Sequence, residues 1–156
     1  MELIQPLDIL NKTNPVIFLA GPIQNAPDWH GKVILGLFDK LRFPVTIASP
    51  KIVGNKPNNW TYEKQVNWES KYLNKAAESG IIIFWLANQA NENSERSYAQ
   101  TTRFELSEWF TKYKINQNIN LIIGIEPGFR GERYIRYRIS TESNIQIVNK
   151  IQNSIN

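Results

Sequence analysis

The chain has 156 residues and no cysteine, with 18 Lys and Arg against 14 Asp and Glu. That length suits one domain, residues 1–156, with a well-buried core, and the missing cysteines exclude a disulfide framework or a cysteine zinc site. The pI is near 9.3, but the net charge is only +4 and the basic residues are scattered apart from Arg130, Arg133, Arg136 and Arg138, which argues against a nucleic acid polymer as partner.

Met1 to Asn14 reads as a polar lead-in ending in Asn-Pro, which favours an extended entry. It lacks a basic-then-apolar leader, and no apolar run in the chain reaches membrane-spanning length, so a cytoplasmic protein without membrane partners is expected. Val16 to Ala20 is a buried strand closed by Gly21-Pro22. Trp29 to Leu41 has helical spacing at Val33, Ile34, Leu37, Phe38 and Leu41. Val45 to Ala48 is a short strand, and Lys51 to Asn59 a loop long enough to wall a pocket.

Trp60 to Ala77 reads as a second helix capped by Asn58 or Asn59 and ended by Ser79-Gly80. Ile81 to Leu86 is apolar throughout, as a central parallel strand should be. After the polar loop Asn88 to Glu95, Ser97 and Gln100 resemble a capping box opening a helix that runs to about Lys114. Asn120 to Ile125 is a fourth strand, Arg133 to Ile139 a short helix and Ile145 to Val148 a fifth strand.

Alternating strands and helices with short connections imply a parallel sheet covered on both faces. Ligands in such folds bind beyond the carboxyl ends of strands, where the strand order reverses. That rule selects four segments: Gly21 to Trp29, Pro50 to Trp60, Ala87 to Gln100 and Glu126 to Arg133.

Two carboxylates stand out against the apolar periodicity. Tyr62, Val66, Leu73 and Ala76 trace a stripe along the second helix, and Glu69 occupies its missing position. A charged, unpaired carboxylate there costs several kcal/mol, so Glu69 should reach a cavity mouth, meet a partner or curl out to solvent. Its helical neighbours Gln65, Val66, Tyr72 and Leu73 offer it no cation. On the third helix Leu106, Trp109, Phe110 and Tyr113 define the buried stripe. Glu105 lies at its edge, while Glu108 points further out. Glu105 fits a partly desolvated nucleophile or base and equally a border residue paired with a surface cation.

Other signals are weaker. Gly21-Pro22 permits close backbone approach to a ligand, but it is neither GxGxxG nor a Walker loop. His30 is the only histidine; it is expected at the surface, and no metal-ligand spacing appears. Trp29, Trp60, Trp68 and Tyr72 divide between core packing and stacking on a planar ligand.

The blocks Phe18-Leu19-Ala20-Gly21-Pro22-Ile23, Trp68-Glu69, Ile83-Phe84-Trp85-Leu86 and Thr101-Thr102-Arg103-Phe104-Glu105-Leu106 occur in that order, followed by Gly124-Ile125-Glu126-Pro127-Gly128-Phe129. From about Val16 to Ile139 the chain resembles the nucleoside 2-deoxyribosyltransferase superfamily. The resemblance implies a flavodoxin-like three-layer sandwich with a five-stranded parallel sheet, its core at about 16–148. It also implies homo-oligomers whose neighbouring subunits complete each other's sites; candidates for the crossing residue lie in Gly128 to Tyr134.

By the same resemblance Glu105 is the nucleophile and Glu69 the acid that contacts the base. Family members carry a further acid shortly before the nucleophile. Ala99 and Gln100 stand there in this chain, so that function falls to Glu95, to Gln65 or to no residue. Gly21, Pro22 and Ile23 are expected against the sugar, Thr101 and Arg103 beside Glu105 or the sugar, and Trp29 and Gln65 among the substrate-binding residues. Substrates would be 2′-deoxynucleosides and free nucleobases, with no cofactor and no metal. The rival readings are hydrolysis of 2′-deoxynucleoside 5′-monophosphates and a non-catalytic nucleotide-binding module.

Overall fold

The computed structural model describes residues 1–10, 13–91 and 97–151. Along the chain the elements are β1 (Glu2–Ile4), β2 (Val16–Ala20), α1 (Trp29–Lys40), β3 (Thr46–Ala48) and α2 (Tyr62–Ser79). They continue with β4 (Ile81–Leu86), α3 (Gln100–Ile115), β5 (Leu121–Ile125), α4 (Glu132–Glu142) and β6 (Ile147–Val148). All strand pairs are parallel, in the order β1-β3-β2-β4-β5-β6. This is a flavodoxin-like α/β sandwich with one strand more than the five expected.

The extra strand is β1, inside the segment read as a polar lead-in. Three residues are too few to display a period. What makes them a strand is the open edge of β3, against which Glu2 aligns with Thr46 and Ile4 with Ala48. Ile4 is buried there. The segment that follows is pinned by α2: Trp68 Nε1 and the Tyr72 hydroxyl both donate to the Asp8 carbonyl, at 3.0 and 3.3 Å. The same hydroxyl accepts from the Leu10 amide.

Side chains alternate across the sheet, so each strand feeds two cores. Phe18, Ile82, Phe84, Leu86 and Ile123 pack with Trp68, Tyr72, Leu106, Trp109 and Ile139 from α2, α3 and α4. Ile17, Leu19, Ile47, Ile83 and Trp85 pack with Trp29, Val33 and Leu37 from α1. Each such large side chain contributes about 1.5–3 kcal/mol of burial. Trp85 faces Gly124 across the β4–β5 ladder, and a Cβ on Gly124 would lie 2.2 Å from the indole. Glycine there makes room for the tryptophan.

The connection from β2 leads outward to β3, and the next returns across β2 to β4. The crevice where this reversal occurs lies at the carboxyl ends of β2 and β4. Among the described residues no helix is long and apolar enough to cross a membrane.

Candidate active site

A cavity of about 550 Å³ opens at that crevice, within the range of about 300–1,000 Å³ typical of small-molecule sites. Its walls come from the turn after β2, the loop after β3, the first two turns of α2, and residues 97–102 leading into α3. Three of the four segments selected from sequence meet here. The fourth, Glu126 to Arg133, does not line the cavity; it braces the wall from behind, with Glu126 accepting the Asn88 amide at 2.6 Å.

Gly21, Pro22 and Ile23 form the rim over β2. A Cβ on Gly21 would meet the Trp85 carbonyl at 2.4 Å and the Trp29 ring at 2.6 Å, so only glycine fits the turn. Trp29 lies beneath it: the indole is 2 % exposed, and Nε1 donates to the Pro22 carbonyl at 2.8 Å. It therefore supports the rim and does not line the cavity. His30, expected at the surface, is likewise buried, with its ring centroid 3.7 Å from that of Trp29. Burial pushes its pKa down to about 3, and Lys51 adds to the shift while Asp28 opposes it. It is a neutral core side chain because the first turn of α1 packs directly on the sheet.

The start of α2 differs from expectation. Its cap is Thr61, whose hydroxyl accepts the Lys64 amide at 3.2 Å, and not Asn58 or Asn59. Tyr62 and Val66 are exposed, while Trp68, Tyr72, Leu73 and Ala76 are buried. The apolar stripe thus begins one turn later, where the helix first meets the sheet, and the N-terminal turns lean over the cavity. Glu69 falls between the two regimes and lines the cavity. Burial raises its pKa, and the Gln65 amide, donating to Oε1 at 2.8 Å, partly opposes this. Gln65 also lines the cavity, yet its amide is engaged on three sides by Trp60, Pro50 and Glu69.

At the other wall α3 starts from Ala99, which holds a left-handed conformation (φ 58°) and makes no capping side-chain bond. The expected Ser97 capping box does not form, because the helix begins too late for Ser97 to reach its first turn. Thr101 and Thr102 line the cavity from that turn. Arg103 turns away, donating to the Arg130 carbonyl and lying 4.5 Å over the Phe129 ring. The wall ahead of α3 is tied to the end of β4 by the Tyr98 hydroxyl, which donates to the Ala87 carbonyl at 2.8 Å. Glu95 lies outside the described residues.

Glu105 follows one turn later on the cavity side, flanked by buried Thr102, Leu106 and Trp109. Its carboxyl is pushed up to about 7, first by burial, then by the charges of Glu69 and Glu108. No hydrogen bond to a described residue offsets that desolvation. Glu108, by contrast, is exposed and pairs with Lys112 at 2.6 Å. Among the described residues one carboxylate is thus left without a partner beside a cavity, and a second faces it from another helix. Such a pair shares its protons: ionising one raises the proton affinity of the other.

The sequence did not reveal Lys56 and Trp60 as neighbours. The Lys56 ammonium sits 3.5 Å over the Trp60 ring, and both line the cavity. Their closeness comes from how the loop folds back, which carries no periodic signal. A family model described as nucleoside 2-deoxyribosyltransferase like matches residues 14–122; that span holds both Glu69 and Glu105. No curated protein matches the chain.

Proposed function

The chain belongs to the nucleoside 2-deoxyribosyltransferase-like family, and from that premise we propose that it exchanges the base of a 2′-deoxynucleoside through a covalent glycosyl ester on Glu105. The observation that carries this reading is the partly desolvated Glu105 carboxylate, without a hydrogen-bond partner among the described residues, facing Glu69 across one cavity.

Poor solvation makes a carboxylate a better nucleophile. A Glu105 oxygen attacks C1′ from the face opposite the base, and the C1′–N bond breaks with its electron pair leaving on the base. Positive charge developing at C1′ draws Glu105 to its ionised form, so the proton shared by the pair resides on Glu69 and passes to the departing base. A second base then attacks C1′ from the original side, gives a proton to Glu69, and returns the ester electrons to Glu105. Two inversions restore the starting stereochemistry, as in retaining glycosidases. Gly21, Pro22 and Ile23 bound the sugar, and Thr101 stands next to the nucleophile's turn. Trp60 and Tyr62 offer aromatic surface for a planar base.

The experiment is to incubate the protein with deoxyinosine and free adenine and separate the products by chromatography. Deoxyadenosine is the expected product. Hypoxanthine without deoxyadenosine would mean that water takes the ester, which is the hydrolase reading. Neither product would reduce the chain to a binding module.

A further inference from the structure

Trp60 Nε1 donates to Gln65 Oε1 at 2.8 Å. An indole nitrogen can only donate, so this contact settles which end of the Gln65 amide is oxygen. The nitrogen end then donates to Glu69 Oε1 at 2.8 Å and to the Pro50 carbonyl at 3.3 Å. All three contacts agree on one orientation, and both amide hydrogens are in use. Gln65 therefore has no hydrogen left to offer a substrate.

The consequence falls on Glu69. In a neutral carboxyl group one oxygen carries the proton, and the other is free to accept. Oε1 already accepts from Gln65, so the acid proton belongs on Oε2. That oxygen makes no hydrogen bond to a described residue, and its side chain borders the cavity. We propose that Gln65, itself oriented by Trp60, is a positioning residue that directs the Glu69 proton onto Oε2 and so toward the base. The inference rests on the transferase reading above. When the C1′–N bond breaks, its electron pair stays on the base, the Oε2 proton joins the base nitrogen, and a Glu105 oxygen bonds C1′. The arriving base reverses each of these transfers. Neither Gln65 nor Trp60 gives or takes a proton in these transfers.

The titratable groups that share the cavity with Glu69 are Glu105 on α3, Tyr98 ahead of it, Lys56 on the loop after β3 and Tyr62 on α2. None of them is altered in the test. Two variants are used: Gln65→Met, which keeps the side-chain length, and Trp60→Phe, which keeps the aromatic wall. Each is assayed for deoxyinosine-to-adenine exchange across a pH series. For Gln65→Met, kcat should fall about tenfold, with KM changed less than about threefold, because positioning of an acid acts on the transition state.

The alkaline limb of kcat should also move to higher pH, since the N–H that favours charged Glu69 is gone. Trp60→Phe should shift both quantities in the same direction by less. A raised KM with unchanged kcat, or an alkaline limb that stays in place in both variants, would overturn the proposal while the transferase reading stood. A wild-type chain that exchanges no base would overturn both.

Discussion

Glu69 on α2 and Glu105 on α3 face the same cavity, and the charge of Glu69 adds to the rise in proton affinity of Glu105. Neither helix carries the site alone. The crossing that returns from β3 to β4 brings α2 over the carboxyl end of β2, and the next crossing sets α3 beside it.

Removing the nucleophile should separate activity from stability. Glu105→Gln is expected to lower exchange at least about a thousandfold while raising stability at pH 8. The folded-state pKa of Glu105 lies above the unfolded value, so the native state binds the extra proton and loses stability as pH rises from about 4.5 through 7. The gain at pH 8 should be about 1–2 kcal/mol, allowing for partial exposure, and should vanish below pH 4.5. Urea melts at pH 4 and pH 8 measure it, and equal gains at both would remove burial as the cause.

Glu69→Gln should lower kcat about 10- to 100-fold and move the acid limb of kcat/KM downward. The acid limb reports Glu105 in the free enzyme, and one of the charges raising it is gone in this variant. Steady-state rates between pH 5 and 8 test this. An acid limb that does not move would mean the two carboxylates are not coupled.

His30 should make the protein sensitive to acid. Its pKa is depressed by burial to about 3, so the unfolded chain binds the proton first, and stability is lost as pH falls from about 6.5 toward 3. Its Nε2 is buried without a hydrogen-bond partner among the described residues. His30→Leu should therefore flatten the decline in thermal midpoint between pH 6.5 and 4, and a variant declining as steeply as wild type would contradict this.

Ala99 holds a left-handed conformation that a Cβ disfavours. Ala99→Gly should stabilise the fold by about 0.5–1 kcal/mol, read as a shift in the urea midpoint at constant m-value. A loss of stability would show that the alanine methyl packs more usefully than its backbone strains.

The turn after β2 permits no such freedom. Gly21→Ala should cost about 1–3 kcal/mol and depress exchange, because the added carbon meets the Trp85 carbonyl and the Trp29 ring. Near-wild-type thermal unfolding in this variant would mean that the rim adjusts easily.

The alternation of apolar strands with amphipathic helices was written locally. Ile81 to Leu86 matched β4 residue for residue, because a strand buried on both faces needs an unbroken apolar run. Glu105 was legible as a border residue for a similar reason: Leu106, Trp109 and Phe110 set the phase of α3. These are properties of one segment and its period. By contrast, β1 exists only because β3 has an edge to pair with. The early turns of α2 are exposed only because the sheet does not extend beneath them.

Trp29 and His30 looked like a ligand-facing ring and a surface imidazole, and both are buried under the rim. Arg103, near the nucleophile in sequence, turns to the loop ahead of α4. Which side of an aromatic or a cation meets the cavity depends on the crossing of helices over the sheet, a long-range property that no window of sequence contains. The amino-acid order by itself determined five of the six strands of the sheet, the family and the border position of Glu105. The tertiary structure decided that Glu69 faces Glu105 and that the loop after β3 reaches Gln65 through Trp60 and Pro50, because those contacts join elements with no common period; only the Gln65–Glu69 step follows the helical spacing of α2.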